Sequence, residues 1–341
     1  MRLLSVAALL ATTLTAQHQV GVRNHTFANP TGEGSSKLLA RVFYPANREG
    51  ENSAPGDHPK GWPVVVFLHG FGTLGNWYVR LGRRLAEDGY IAVMSDTARI
   101  LPQRQAKDGR SLFFALAREN NNRHSVFAGA FDMKRVALAG HSMGGGNTIR
   151  ILATNPGYRA GFCFAPWDGL LPAGTSDYAK AYAPGVRVPL GIVHGKGDVI
   201  LPWQRTALRH FDRATGFASF KLLYLLDESC GHRNLVRQRK RAKEVDRNIW
   251  ERSVTLAMSF FHGVLRDDYS AINATLGAPN PMETSEIETR VAVRSPWPEE
   301  LAGMVLPELH GVTVRMVRGR VSRLPQSRWS PELPRSASRG R

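Results

Sequence analysis

The chain has 341 residues, 43% of them hydrophobic, which is enough for one large α/β core with appendages. Its formal charge is +17, but the excess is not distributed as a nucleic-acid site. Eight arginines from Arg315 to Arg341 face only Glu332, and the rest sits on helical faces, including Arg237-Gln238-Arg239-Lys240-Arg241. A specific nucleic-acid partner is therefore not expected, and the basic tail is a candidate contact for an anionic surface.

Met1-Arg2 and the uncharged stretch from Leu3 to Ala16 have the form of a secretory signal cut after Ala16. The stretch is too short to span a bilayer, so a secreted or periplasmic protein is expected. Residues 17–264 then read as the catalytic domain and residues 265–341 as a poorly ordered extension rich in Arg, Pro and Ser. Cys163 lies in an apolar strand and Cys230 beside a candidate site loop, so two free thiols are expected rather than a disulfide.

Gln19 to Phe27 and Lys37 to Tyr44 read as antiparallel strands, and Pro45 to Gly61 as a surface loop. The continuous apolar run Pro63 to Leu68 reads as a strand covered on both faces. After it come His69-Gly70-Phe71-Gly72-Thr73, a helix from Trp77 to Asp88, a strand from Tyr90 to Met94 and a helix from Ser111 to Phe127. Arg135 to Ala139, Ala160 to Phe164, Val188 to Val193 and Phe220 to Leu226 complete a strand and helix alternation. Helices are expected at Trp203 to Phe211 and Asn234 to His262. Such repeated units imply a mostly parallel sheet with helices on both faces and ligands at the carboxyl ends of the strands. Beyond Leu265 the pattern weakens, with short apolar pieces such as Val291 to Val293 and Val312 to Val317, and one small hairpin docking on the domain is expected there.

The chemistry centres on Val136 to Gly146. Here a buried strand enters a turn, Gly140-His141-Ser142-Met143-Gly144, and leaves as a helix. The strained turn lifts Ser142 above the sheet at the positive end of the helix, where a nucleophile and a developing oxyanion both gain. A serine needs a base and a group to orient it. On such a fold these follow as acid then histidine, each beyond a strand. His194-Gly195-Lys196-Gly197-Asp198 and Asp227-Glu228-Ser229-Cys230-Gly231-His232 supply Asp198 and His232. Asp168 and Asp227 also lie near strand ends. Asp168 comes one strand too early, and Asp227 shares the loop of the histidine. His69 and His141 sit in glycine-bound motifs that suit structural hydrogen bonds. The backbone amides of Phe71 and Met143 are the candidate oxyanion donors.

Pro63 to Gly72, Gly140 to Gly146, Ala165-Pro166-Trp167-Asp168 and the Asp198 and His232 loops together resemble an α/β-hydrolase. Gly-His-Ser-Met-Gly-Gly-Gly and Ala-Pro-Trp are similar to the group of bacterial cutinases, polyethylene terephthalate hydrolases and chlorophyllases. That resemblance covers Gln19 to Gly263. It implies a secreted serine esterase, cutinase-like or lipase-like, that needs no metal or organic cofactor and takes bulky or polymeric esters. It also implies that Trp167 and Phe71 line two sides of the substrate cleft. A serine peptidase or thioesterase on the same scaffold is the alternative, and a non-catalytic binder of anionic polymers a more distant one. Two features depart from the polyester-hydrolase pattern. No cysteine follows Cys230, and the histidine loop reads Cys-Gly-His-Arg-Asn where that group has Ser-His-Phe. Pro166 to Val188 is too short for a large cap domain.

Overall fold

The computed structural model describes residues 17–169, 176–237, 243–277, 288–293 and 312–316. The leader-like residues 1–16 and the arginines beyond Met316 lie outside them. Strands β1 (Gln19–Ala28) and β2 (Lys37–Ala46) pair antiparallel, as their patterning predicts. The loop expected between Pro45 and Gly61 contains one short strand, β3 (Gly50–Glu51), parallel to β1. The centre of the sheet is parallel: β4 (Trp62–Leu68), β5 (Ile91–Ser95), β6 (Phe131–His141), β7 (Ala160–Phe164), β8 (Leu190–Gly195) and β9 (Phe220–Leu226).

Beyond the expected domain, β10 (Glu288–Val293) adds antiparallel to β9 and β11 (Val312–Met316) adds parallel to β10. The hairpin reading is thus corrected, because two parallel neighbours need a long connection rather than a tight turn. The eleven strands run β11-β10-β9-β8-β7-β6-β4-β5-β2-β1-β3 across the sheet.

Every residue of β4 is buried, because the sheet is covered twice. Val65 and Phe67 belong to one core with Leu81 and Leu85 of α1 (Val79–Glu87). Val64, Val66 and Leu68 belong to the other, with Leu112 of α2 (Pro102–Asn120) and Ile149 of α3 (Met143–Leu152). After the short α4 (Tyr178–Ala181), α5 (Ala207–Arg213) joins the second core through Phe211 and α6 (Glu244–Arg266) joins the first through Phe260 and Phe261. Helix α7 (Ser270–Gly277) packs on α6. Only α4 and a single 3₁₀ turn, Ala183–Gly185, lie between β7 and β8 among the described residues, so no large cap stands over the carboxyl ends of the strands.

Three helices depart from their expected bounds, and the simplest case is α5, which starts at Ala207 rather than Trp203. Helix α2 starts at Pro102, not Ser111, and its first turns bury polar side chains that break the apolar period. The carboxylate of Asp108 accepts the Ser35 amide at 2.6 Å and the Ser35 hydroxyl at 2.8 Å, and Gln105 donates to the His69 carbonyl at 2.9 Å. Helix α6 starts at Glu244, not Asn234. Leu235 and Val236 are buried in a turn before it.

Candidate active site

Ser142 stands between β6 and α3 with φ 56° and ψ −118°, a conformation an L-residue holds only under constraint. Three backbone hydrogen bonds supply it. Its amide donates to Phe164 O at 2.9 Å, and its carbonyl accepts from Gly146 at 3.0 Å and Trp167 at 2.9 Å. A β-carbon on Gly140 would lie 2.4 Å from the Gly144 backbone, and one on Gly144 would lie 2.1 Å from Leu68 O. The turn therefore closes only with glycine at both places.

The acid and histidine loops meet beyond β8 and β9. Asp198 is buried, and its Oδ1 accepts the amides of Ile200 and Leu201, each at 2.9 Å. Its Oδ2 lies 2.6 Å from His232 Nδ1. Burial alone would raise the Asp198 carboxyl. The hydrogen bond and charge of His232, with the Leu201 amide, outweigh burial and hold it below its ordinary value. The loops can approach this closely because residue 195 lacks a side chain: a β-carbon there would sit 2.1 Å from Cys230 O. Cys163 and Cys230 are both free and buried, and burial raises both thiols. The other two acids have different partners. Asp168 pairs with Arg209 at 3.6 Å, and Asp227 accepts the Ser229 amide at 2.8 Å.

Ser142 and His232 line one cleft of about 640 Å³. No hydrogen bond joins their side chains in this conformation, although both open onto the same space. Phe71 is 63% exposed at its edge, with Ile100 and Ile200 also exposed. Trp167 lines the cleft too, its ring 5.3 Å from that of Tyr178. As the first residue of α3, Met143 has an amide with no acceptor inside the helix. The Phe71 amide has no acceptor among the described residues.

Two supporting residues, Tyr78 and His210, carry no signal in the sequence, while His69 and His141 bond to backbone and side-chain groups around the site. Tyr78 accepts the Gly70 amide at 2.9 Å and lies 3.1 Å from His141 Nδ1, while His141 Nε2 lies 3.0 Å from His232 O. Burial raises the Tyr78 hydroxyl, opposed by its bonds from Thr73 and Gly70 and by the charge of Arg237. His210 on α5 holds the Trp167 carbonyl at 3.0 Å, and burial lowers its imidazole to about 4. His194 is likewise buried, 3.7 Å from Asp198 Oδ2, and lowered by burial to about 4. His69 places its two ring nitrogens 2.8 Å from Gly70 O and 2.8 Å from Thr97 O. No sequence pattern marks Tyr78 or His210, because each acts across the fold on a distant backbone group. Among the described residues no group of three His, Cys, Asp or Glu is arranged to hold a metal ion.

The profile of the PET hydrolase-like family matches residues 10–225, a stretch that contains Ser142 and Asp198. The chain belongs to the PET hydrolase-like family. Like this family, it has the α/β-hydrolase fold. It is 32% identical over 122 residues to Cutinase 2 of Thermobifida cellulosilytica, covering 36% of this chain and 42% of that protein. It is also 32% identical over 139 residues to the bis(hydroxyethyl) terephthalate hydrolase of Streptomyces coelicolor, 41% of each chain. Cutinase cut1 of Thermobifida fusca matches at 32% over 122 residues, 36% of this chain and 35% of its own length. The aligned segment thus spans about two-fifths of the curated relatives. His232, Arg233 and Arg237 lie beyond the family match.

Proposed function

We propose that this PET hydrolase-like chain is a serine esterase that cleaves carboxylic esters through an acyl-enzyme. The observation that carries the reading is the 2.6 Å contact of His232 Nδ1 with buried Asp198, set in the cleft that holds strained Ser142. Asp198 holds the proton on Nδ1, which leaves Nε2 free to act as base. Ser142 Oγ attacks the ester carbonyl carbon and its proton passes to His232 Nε2. The carbonyl oxygen becomes an oxyanion and receives the amides of Phe71 and Met143. Collapse of this intermediate breaks the bond to the alcohol, which leaves with the proton from His232. Water then repeats the sequence on the acyl-serine, and the acid departs. No step needs a metal or an organic cofactor.

The uncapped cleft and its exposed rim, with Phe71, Ile100 and Ile200, favour bulky or polymeric esters over small buried ones. Export is part of the proposal and rests on the leader-like composition of residues 1–16. The test is turnover of a p-nitrophenyl ester series and one insoluble polyester by wild type and Ser142→Ala. Preference for amides or thioesters in matched panels would move the assignment to the peptidase or thioesterase reading. Ester turnover that survives the Ser142 change would overturn the nucleophile.

A further inference from the structure

The residue after His232 is Arg233, and Arg237 follows one turn later. Arg233 and Arg237 both line the cleft that holds Ser142. Arg237 Cζ lies 3.8 Å from the centre of the Trp77 ring, so the guanidinium is stacked on the indole face. Trp77 is itself packed against the core that contains Tyr78 and Leu81. A guanidinium stacked in this way keeps its N–H edge in the ring plane and available, while its long side chain is already ordered.

Neither arginine has a carboxylate within ion-pair distance among the described residues, and residues 238–242, which follow directly, contain no acid. The other charged groups near the cleft are committed. Asp198 is bonded to His232, and Asp168 and Asp177 are both paired with Arg209. A cleft that also offers polar groups such as Thr73, Gln103 and Ser176 thus carries two cations on one short turn, with no carboxylate in ion-pair distance of either among the described residues; the nearby Asp246 accepts from the Asn234 side-chain amide.

We propose that Arg233 and Arg237 form a carboxylate-recognising wall of the cleft, so that the preferred esters carry an anionic group on their non-reacting end, as half-esters of dicarboxylic acids do. The inference rests on the esterase reading for its chemistry, but the anion site itself does not. A charge-assisted hydrogen bond in a partly dry cleft is worth roughly a tenfold preference. Free acid ends produced by earlier cuts in a polyester would then mark the fragments this cleft takes best.

The test compares kcat/KM for the p-nitrophenyl half-ester of terephthalic acid with that for p-nitrophenyl 4-methylbenzoate. The para geometry prevents the carboxylate from attacking its own ester. The ratio of anionic to neutral ester is expected to fall about tenfold in the Arg233→Gln/Arg237→Gln double variant, and to fall with added salt in wild type. Arg237→Lys should retain part of it, because the charge stays while the planar stack is lost. A ratio that stays within twofold in the double variant overturns the proposal. Calorimetric titration with terephthalate gives a reading independent of turnover and of variant folding. Wild type should bind the dianion more weakly at 0.5 M than at about 0.05 M salt and should bind 4-methylbenzamide less well than the dianion at low salt. Equal binding of the two overturns the anion site. If neither ester is hydrolysed, the esterase reading fails while the titration still decides the wall.

Discussion

His141 Nε2 lies 3.0 Å from the backbone oxygen of His232, so the residue before the candidate nucleophile holds the loop of the candidate base. A carbonyl can only accept, so Nε2 carries the proton and Nδ1 accepts from the Tyr78 hydroxyl. That hydroxyl in turn accepts the Gly70 amide, next to the candidate oxyanion donor Phe71. Burial, then the charge of His232, holds His141 down at about 3, so the ring is neutral at ordinary pH and the chain of bonds keeps one direction. Tyr78→Phe leaves the Gly70 amide and His141 Nδ1 buried without their partner. A loss of about 1–3 kcal/mol in urea unfolding is expected. Ester kcat should fall more than KM rises, because the two candidate catalytic loops lose their common tie. Unchanged kcat and stability would show that the tie is idle.

Ser142→Ala should reduce esterase kcat by at least about a thousandfold and leave folding nearly intact, and His232→Ala should match it, because triad members act as a unit. Steady-state turnover together with circular dichroism checks both halves of the statement.

Asp198→Asn keeps the shape of the acid loop but favours the wrong imidazole tautomer, with an expected loss on the order of 10³ to 10⁴ in kcat. The carboxyl is held below its unfolded value of 3.8. Its contribution to stability is therefore present above that pH and disappears as pH falls through the folded value. Wild type and variant should converge in urea midpoint at strongly acid pH and separate near neutrality. Parallel profiles across that range would remove the linkage.

Three buried histidines act in the same direction as Asp198, in a higher pH window. Burial lowers His141 to about 3 and His194 and His210 to about 4, against 6.5 when unfolded. Between those values the unfolded chain binds more protons, so stability should decline as pH drops from 6.5 toward 4. The measurement is the urea midpoint of wild type at half-unit pH steps. A midpoint that is level over this window contradicts the burial of neutral rings.

Phe71 is 63% exposed at the cleft edge, so Phe71→Ala should alter stability by no more than about 0.5 kcal/mol. Its amide stays in place, and the lost ring should reduce release of soluble product from an insoluble polyester more than turnover of a short p-nitrophenyl ester. Equal losses on both substrates would assign Phe71 no part in holding bulky esters.

The arginine tail calls for a cut placed by the sheet rather than by charge. A truncation near Gly311, which the charge pattern alone recommends, would delete β11, whose Val312 to Met316 pairs with β10. Removal of residues 318–341 should spare soluble-ester turnover and weaken adsorption to anionic vesicles at low salt, with the difference vanishing at high salt. Equal adsorption by both forms at low salt would end the tail's role.

Local chemistry explains what the sequence by itself determined. A short continuous apolar run such as Val64 to Leu68, bounded by turn residues, reads as a strand covered twice, and Gly140-His141-Ser142-Met143-Gly144 encodes its own strained turn, so the parallel sheet and the turn at Ser142 were legible in the sequence. Ala160–Phe164 and Phe220–Leu226 even have the bounds expected of them. What depended on partners distant in sequence was decided only by tertiary structure. The polar first turns of α2 are helical because Ser35 and His69 satisfy Asp108 and Gln105. Val291 and Val314 become sheet residues because the edge of β9 is open to them, directly and then through β10. The triad order predicted Asp198 and His232, but their 2.6 Å contact needed two loops brought together at Gly195. Tyr78, His210 and the stack of Arg237 on Trp77 left no periodic or motif signal. Each is one side chain meeting a group that only the folded chain carries to it.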